Sequence, residues 1–213
     1  MLLNDLQHRL ASLYEAPVSY DVYDFLITDA KLARILNGDG NNNERLLLHQ
    51  AEDALDLSLF IDESILSTLR KSDPRTCLAH SNLDAFLIAL EGVSHFNYVI
   101  WHAHHDRQIT QLEMELQAEV DKFVTTLMLF DEQGTMANHD QVHRILFETS
   151  KFLPSDDTGS LRRYRDANRF AGQYCRKLQS RYPARHRQNT FINELRRFYR
   201  LGQNGKIRAI RQH

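Results

Sequence analysis

The chain has 213 residues, of which 42% are apolar and 25% charged, with only 8 Gly and 4 Pro. This composition is typical of a globular protein and excludes collagen-like and disordered chains. No run of about 18 uncharged apolar residues occurs, so no membrane-spanning segment is predicted. Two cysteines are too few for a secreted disulfide framework, and the N-terminus lacks the basic and apolar regions of a signal peptide. These features predict a cytoplasmic protein.

The formal net charge of −2 conceals a strong separation of charge along the chain. Residues 1–160 carry 11 Lys or Arg and 26 Asp or Glu, whereas residues 161–213 carry 15 and 2. Such a separation of charge indicates what kind of surface each region can bind, and it says little about the fold. We therefore expect an anionic surface to contact residues 161–213.

Apolar residues recur every three or four positions in long stretches that contain little Gly or Pro, which predicts an all-α fold. In chain order, the predicted helices cover residues 3 to about 17, 20–36, 43–71, 82–130, 142–152, 161–181 and 191–201, followed by a short amphipathic helix after Gly205. Residues 18–28 are rich in Tyr, Val, Phe and Ile and also suit a short strand. An isolated strand has no partner in such a chain, so a helix is the preferred prediction there.

The longest predicted helix, residues 82–130, contains no proline and a single glycine, and would span about 70 Å if it were straight. We expect a kink within it. The pattern predicts a multi-helix bundle around one long central helix, with a basic C-terminal helical hairpin. The expected organisation is an acidic bundle over residues 1–153, a linker over 154–160, and the basic hairpin over 161–213 packed on the bundle.

A line of polar side chains runs along the first half of that central helix. At 100° per residue, the apolar stripe of residues 109–130 continues backward through Glu91, His95, Tyr98, His102 and His105. The other sides of this stretch are apolar, which is typical of a buried helix. Buried imidazole and carboxylate groups need partners, and at positions i and i+4 they reach one ion. The line therefore predicts a site for Fe, Mn or Zn whose ligands are Glu91, His95, His102 and His105.

Further ligands would come from a facing helix, and two sets of residues have suitable chemistry: His49, Glu52, Asp53 and Asp56, or His139, His143 and Glu148. In outline only, this arrangement resembles the ferritin-like and haem-oxygenase-like di-metal helical proteins, which implies a metal-dependent oxidoreductase. It departs from the Glu-x-x-His signature of ferritin-like helices, because three residues separate Glu91 from His95. In the alternative interpretation, the helix kinks or rotates between Ala103 and Arg107. The polar line then faces solvent or another subunit, or consists of ordinary hydrogen-bonded core histidines.

Several motifs of common enzymes are missing from the sequence. It contains no phosphate-binding Gly-x-x-x-x-Gly-Lys-Ser/Thr, no Gly-x-Gly-x-x-Gly, no Gly-x-Ser-x-Gly, no His-Glu-x-x-His and no Cys-x-x-Cys. Nucleotide-binding and hydrolase folds therefore lose support.

Arginine dominates the basic region, with 13 Arg and 2 Lys in residues 161–213. Arginine favours bidentate contacts with phosphate and stacks on bases, and the neighbouring Tyr164, Phe170 and Tyr174 are suited to stacking on unpaired bases. No sequence-reading motif is evident, so the predicted binding is not sequence-specific. The predicted anion-binding residues are Arg162, Arg163, Arg165, Arg169, Arg176, Lys177, Arg196, Arg197 and Arg200.

From these features we predict a non-enzymatic binding or regulatory protein that engages RNA, DNA or an acidic protein surface through its C-terminal arginines. Two alternatives stay open: a metal-binding helical-bundle oxidoreductase, and a homo-oligomeric scaffold. The acidic region also offers the basic region an internal partner, either within one chain or across a dimer.

Overall fold

The computed structural model describes residues 1–37, 43–50, 55–135, 139–149, 158–182 and 189–212. Most of them are helical, which confirms the predicted all-α, multi-helix class. The helices are α1 (Leu2–Tyr14), α2 (Ala30–Asn37), α3 (Glu63–Lys71), α4 (His80–Ala103), α5 (Gln111–Glu132), α6 (His139–His143), α7 (Thr158–Arg181), α8 (Asn189–Arg200) and α9 (Gln203–Arg211). A 3-10 helix (Val22–Phe25), a π-helical turn (Arg144–Glu148) and three strands, β1 (Leu26–Ile27), β2 (Glu44–Gln50) and β3 (Leu55–Ile61), complete the described elements.

Helix α4 is the long central helix of the fold. It runs antiparallel to α5, as shown by contacts of Tyr98 with Glu113 near one end and of Glu91 with Lys122 near the other. Helices α1 and α3 and the strands pack on the remaining sides of α4, and α7 packs on α5. The side chain of Phe96 is fully buried, as are those of many of its neighbours on α4. A helix enclosed in this way has to be apolar nearly all round.

The predicted helix over residues 82–130 is in fact two helices. Helix α4 ends at Ala103, and the chain reverses over residues 104–110, where Asp106 adopts a left-handed φ of 49°. The hydroxyl of Thr110 then caps α5 by accepting a 3.1 Å hydrogen bond from the backbone N–H of Glu113. The expected kink is therefore a complete reversal, and the polar line of α4 lies against α5 instead of continuing its apolar stripe.

The predicted helix over residues 43–71 is wrong for its first two thirds, which contain β2 and β3 before α3 begins. The two strands pair antiparallel, from Glu44 opposite Ile61 to Gln50 opposite Leu55. Residues 55–59 alternate strictly between leucine and a polar residue, the period of a half-buried strand, and this signal outweighs the helical spacing of the surrounding leucines.

The prediction of a helix over residues 20–36 is also wrong in its first half. The chain there forms the 3-10 helix and β1, and only then α2. Strand β1 pairs in parallel with β3, with Leu26 opposite Leu59. The partner strand β3 lies in the segment that helical spacing predicts as a helix, so the sequence pattern offers residues 18–28 no strand to pair with.

The basic C-terminal segment shares the core of the acidic segment. Buried side chains of α7, among them Ala171 and Cys175, belong to the same apolar cluster as those of α1, α4 and α5. Tyr174 of α7 stacks on Phe198 of α8, with 3.8 Å between ring centres. Helix α7 begins at Thr158, so the last three residues of the predicted linker are helical, while residues 154–157 lie outside the described residues.

One described helix, α4, is long and apolar enough to cross a membrane, but 78% of its most apolar window is buried inside the protein. The core helix of a soluble protein has the same properties, so α4 is weak evidence for a membrane span. Both cysteines are free thiols, with Cys77 exposed and Cys175 buried.

Candidate metal centre

Acidic side chains from three elements converge around one buried histidine between β2, α4 and α5. We call the group the carboxylate cluster; it consists of Glu44, Glu91, His95, Glu115, Glu119 and Lys122. On α4, Glu91 and His95 are four residues apart and therefore share one face of the helix. The same spacing places Glu115 and Glu119 on one face of α5.

Glu44 reaches this group because β2 lies very close to α4 at Gly92. A Cβ atom on Gly92 would lie 3.0 Å from the Cγ of Glu44 and 3.0 Å from the Cδ1 of Leu59. Contacts of that length are closer than real Cβ atoms tolerate, so the missing side chain permits the approach of the strands. Gly92 therefore positions Glu44 over the cluster.

His95 is the centre of the cluster and has only 3% of its surface exposed. Its Nδ1 lies 3.2 Å from Oε1 of Glu44, and its Nε2 lies 3.4 Å from Oε2 of Glu115. Ligand atoms of Glu44, Glu91 and His95 all lie within 4.8 Å of one another. Atoms bound to a single ion at about 2.0–2.2 Å are at most about 4.4 Å apart, so the three side chains would have to draw together to bind one ion.

The Nε2 atom of His95 is buried, and it makes no hydrogen bond with any residue that the structure describes. Its distance of 3.4 Å from Oε2 of Glu115 is longer than that of a typical N–H···O hydrogen bond. A buried polar atom without a hydrogen bond is costly and calls for an explanation such as an ion or a ligand. The His95 ring is therefore incompletely hydrogen-bonded in this structure, an observation that does not depend on the convergence of the carboxylates.

Lys122 lies at the far side of the cluster and joins the two helices. Its Nζ is 2.6 Å from Oε2 of Glu91 and 2.8 Å from Oε1 of Glu119. The side-chain amide of Asn168, on α7, donates a 3.1 Å hydrogen bond to Oε2 of Glu119. Both oxygens of Glu119 therefore have partners, and a carboxylate oxygen of Glu91 lies within 4.8 Å of ligand atoms of Glu44 and His95.

The electrostatics of the cluster follow from its excess of acidic groups. Burial raises the pKa of Glu44 and opposes the effect of His95, which lowers it. Burial lowers the pKa of His95, but the Glu115 and Glu44 carboxylates outweigh burial and raise it well above its usual value. Burial likewise lowers the pKa of Lys122, and Glu119 and Glu91 reverse the shift. The cluster thus attracts positive charge strongly at each of its cationic positions.

Tyr164, near the start of α7, lies beside the cluster. Burial raises the pKa of its hydroxyl, and the charges of Glu115, Glu91 and Glu44 raise it further. The guanidinium of Arg163 lies over the Tyr164 ring at 5.5 Å from its centre. The first turns of α7 therefore border the carboxylate cluster.

Two of the predicted metal ligands, His102 and His105, lie outside the cluster. His102 is buried, with Nδ1 2.8 Å from the guanidinium of Arg107, and burial together with Arg107 lowers its pKa to about 3. His105 is exposed, and its Nδ1 lies 2.7 Å from the carbonyl oxygen of Trp101. Of the four predicted ligands, the structure brings Glu91 and His95 together, while His102 and His105 lie outside the cluster.

The facing residues expected to complete the site have other partners or lie outside the described side chains. His143 contacts the carbonyl oxygen of Gly172 through Nε2 at 2.9 Å, and Glu148 accepts a 3.1 Å hydrogen bond from Arg176. Asp56 is exposed on β3. The side chains of His49 and His139, and residues 52 and 53, lie outside the description.

Sequence reasoning missed Glu44, Glu115, Glu119 and Lys122. Glu115 and Glu119 are four residues apart, as are Glu91 and His95, so each pair shares one face of its helix. If the chain reverses between the two helices, the two pairs can face each other, and this spacing could therefore have indicated the site. No comparable spacing points to Glu44, because the sequence pattern predicts a helix where β2 lies.

Several predicted anion-binding residues lie on the exposed face of α7. The exposed arginines at positions 162, 165, 169 and 176 recur at helical spacing along that face. Arg176 pairs with Asp140 at 2.6 Å and Glu148 at 3.1 Å, and Arg169 pairs with Asp166 at 2.8 Å. Among the described residues, Arg162 and Arg165 form no ion pair.

The remaining predicted anion-binding residues contact other parts of the chain. Arg196 pairs with Glu15 at 2.7 Å, and Arg197 with Glu194 at 3.1 Å. Lys177 donates a hydrogen bond to the carbonyl oxygen of Ala209. Arg200 donates one to the carbonyl oxygen of Glu15 and lies over the ring of Trp101, and Arg163 lies over the ring of Tyr164. Part of the basic region is therefore used in docking α7 and α8 onto the rest of the fold.

Comparison with known proteins found no matching family model, curated protein or solved structure. We therefore derive function from the residues of the site alone. The most distinctive of these residues is His95, buried between carboxylates that come from different elements.

Proposed function

We propose that this protein binds one divalent transition metal ion, Fe, Mn or Zn, in the carboxylate cluster. The ligands are Glu44, Glu91 and Nδ1 of His95. The main support is that the ligand atoms of these three residues lie within 4.8 Å of one another, and that His95 has only 3% of its surface exposed. A mixed set of imidazole and carboxylate ligands suits these three metals.

Charge supports the same proposal. The cluster holds four carboxylates, and Lys122 and His95 are its cationic partners. Buried charges are stable only when they are paired, because the surrounding medium screens them poorly. A divalent cation bound by Glu44, Glu91 and His95 adds two positive charges and displaces one proton from the imidazole, so the formal charge of these six residues changes from −2 to −1.

Glu115 has a distinct role in this proposal. A metal on Nδ1 of His95 leaves the ring proton on Nε2, which lies 3.4 Å from Oε2 of Glu115. A small rotation of the imidazole then forms the missing hydrogen bond. Metal-bound histidines commonly donate their second N–H to a carboxylate, which fixes the ring and its tautomer.

Three protein ligands leave coordination positions open for water or substrate, as in catalytic rather than closed structural sites. We therefore extend the proposal to metal-dependent oxidoreductase chemistry with Fe or Mn. Tyr164, next to the cluster on α7, is the side chain best placed to border a bound substrate.

The test is the metal content of the untagged chain purified without chelator, compared across matched variants. We expect about one metal ion per chain in the parent, and loss of it in His95→Gln and Glu91→Gln because each removes a ligand. His104→Gln and Glu63→Gln change exposed residues of the same types outside the cluster and should retain the metal. A folded parent chain that takes up neither Fe, Mn nor Zn would refute the proposal.

A second candidate function is binding of RNA or DNA by the exposed face of α7. It is supported by Arg162 and Arg165, which are exposed and form no ion pair among the described residues. Arginines along one helix face can contact successive phosphates without reading sequence.

Replacing Arg162, Arg165 and Arg169 together with Gln should weaken RNA or DNA binding and flatten its salt dependence, because each lost phosphate contact reduces the salt slope by about one. The control replaces three exposed basic residues of the acidic segment, Arg34, Arg70 and Lys71, and so changes net charge equally. If both triple variants bind alike, the α7 face does not hold the nucleic acid.

A cytoplasmic location and a homo-oligomeric state are further proposals. Free thiols at Cys77 and Cys175 suit a reducing compartment. The exposed apolar side chains of α2, including Ile35 with 81% of its surface exposed, are candidates for a subunit contact.

A further inference from the structure

Lys122 is placed differently from a lysine at the surface of a helix. Only 9% of the residue is exposed, and its ammonium group lies between carboxylates from two different helices. One of these carboxylates, Glu91, is also in the group of ligand atoms around His95. Glu91 therefore lies between two cation positions, one next to His95 and one filled by Lys122.

The position of the ammonium resembles that of a bound ion. Its Nζ contacts Oε2 of Glu91 at 2.6 Å and Oε1 of Glu119 at 2.8 Å. Glu119 is fixed from the other side by Asn168, which donates to Oε2 at 3.1 Å. Paired metal sites hold two ions about 3.5–4 Å apart, commonly with groups shared between them. A carboxylate shared by two cations is the feature that Glu91 provides here.

We infer that Lys122 occupies the position of a second metal ion, so that the carboxylate cluster holds one metal and one ammonium group instead of a metal pair. This inference rests on the proposed function, since it assigns the metal count of the same site. The ammonium is tethered to α5, so free metal ions do not displace it by simple competition. The site is then restricted to the chemistry of a single ion.

The main test replaces Lys122 with Leu, which removes the charge without adding a ligand. Parent and variant are freed of metal, exchanged into Mn²⁺, and compared by metal analysis and electron paramagnetic resonance. We expect about one Mn²⁺ per chain in the parent and about two in Lys122→Leu, with the spectrum of an exchange-coupled pair in the variant only. In Lys122→Leu/Glu119→Leu the count should return to about one, because the second position has lost its carboxylate.

A second measurement does not depend on the folding of the leucine variants. In the parent, Glu119 contacts Lys122 and Asn168, so Glu119→Gln removes a nearby charge but no ligand and should lower Mn²⁺ affinity much less than Glu91→Gln does. Glu91→Gln should reduce it at least a hundredfold. Equal losses in the two variants would make Glu119 a metal ligand of the parent and would overturn the inference.

The outcomes separate the two proposals. A parent chain that binds no metal refutes the proposed function. A parent that binds two ions, or a folded Lys122→Leu variant that still binds one, refutes the role of Lys122 and leaves the metal site in place.

Discussion

Of the buried polar groups along α5, two differ clearly in how well their charges are matched. Besides the carboxylate cluster, there is a group that we call the Asp121 network: Tyr14, Ser94, Gln117, Asp121 and Lys206. Both oxygens of Asp121 accept hydrogen bonds, from Tyr14, from Ser94 Oγ at 2.5 Å and from Gln117 Nε2 at 2.8 Å. Lys206, which is fully buried, donates to Oε1 of Gln117 at 2.5 Å. The network contains one anion and one cation.

Perturbed pKa values occur in both groups and therefore do not distinguish them. Burial raises the pKa of Asp121 to about 6 and lowers that of Lys206 to about 7. The two groups differ in their balance of charges and hydrogen bonds. The Asp121 network connects α1, α4, α5 and α9, and its one anion is matched by one cation. The carboxylate cluster has more anions than cations among its members, and Nε2 of His95 makes no hydrogen bond with a described residue. Structural networks also perturb pKa values, so the unmatched charge is the better indicator of a binding site.

The largest expected effect is on stability, in the Asp121 network. Replacing Asp121 with Ala removes the shared hydrogen-bond acceptor of Tyr14, Ser94 and Gln117. It also removes one of the two carboxylates, with Glu113, whose charge acts on the buried Lys206. We expect a loss of about 3–5 kcal/mol in the free energy of unfolding. Metal affinity of the folded fraction should be unchanged, because Asp121 is not in the cluster. Urea unfolding measures the loss of stability, and a metal titration measures the metal affinity. A metal defect at constant fold would show that the two groups are not independent.

Metal should stabilise the parent chain through the carboxylate cluster. With free Mn²⁺ at a hundred times the dissociation constant, we expect about 2.7 kcal/mol of added stability. The gain should vanish in Glu91→Gln and persist in Ser94→Ala, which alters only the Asp121 network. Thermal unfolding with and without Mn²⁺ measures both. If Glu91→Gln and the parent gain equally, the ion is bound elsewhere.

The pH dependence of stability should reveal Lys206. Burial lowers the pKa of this lysine from 10.5 to about 7, so between these pH values the unfolded chain holds a proton that the folded chain has lost. Stability therefore rises with pH across this window, by at most about 1.4 kcal/mol per pH unit. Lys206→Met should remove that rise. Parallel pH profiles of the two proteins between pH 7 and 10.5 would contradict the assignment.

The smallest expected effect separates metal binding from stability at Gly92. In Gly92→Ala, the added Cβ meets the Glu44 side chain at 3.0 Å and displaces it from the cluster. We expect metal affinity to fall about tenfold. Stability should fall by only about 1–2 kcal/mol, because the helix propensity of alanine offsets part of the strain against Glu44 and the buried Leu59. Calorimetric metal titration and urea unfolding test this split. Unchanged affinity would indicate that Glu44 is not a ligand.

Much of the helical framework was predictable because helix periodicity is a local property. The burial of α4 follows from its apolar surroundings, and the shared face of Glu91 and His95 follows from their spacing. These features depend only on residues that are close together in the sequence.

The complete site was not predictable, because it depends on contacts between distant segments. The reversal at Asp106 decides that α5 faces α4, and the pairing of β2 with β3 decides where Glu44 lies. The alternation of leucine and polar residues at 55–59 indicated the strand, but competing helical spacing obscured it.

The central claim is that an ion is bound between Glu44, Glu91 and His95. Anomalous diffraction from crystals of the parent chain grown with Mn²⁺, measured on both sides of the metal absorption edge, tests it most directly. The account predicts one anomalous peak about 2.0–2.2 Å from Nδ1 of His95 and within bonding distance of Glu44 and Glu91. A peak at His102 or His105, or no peak between these three side chains, would contradict it.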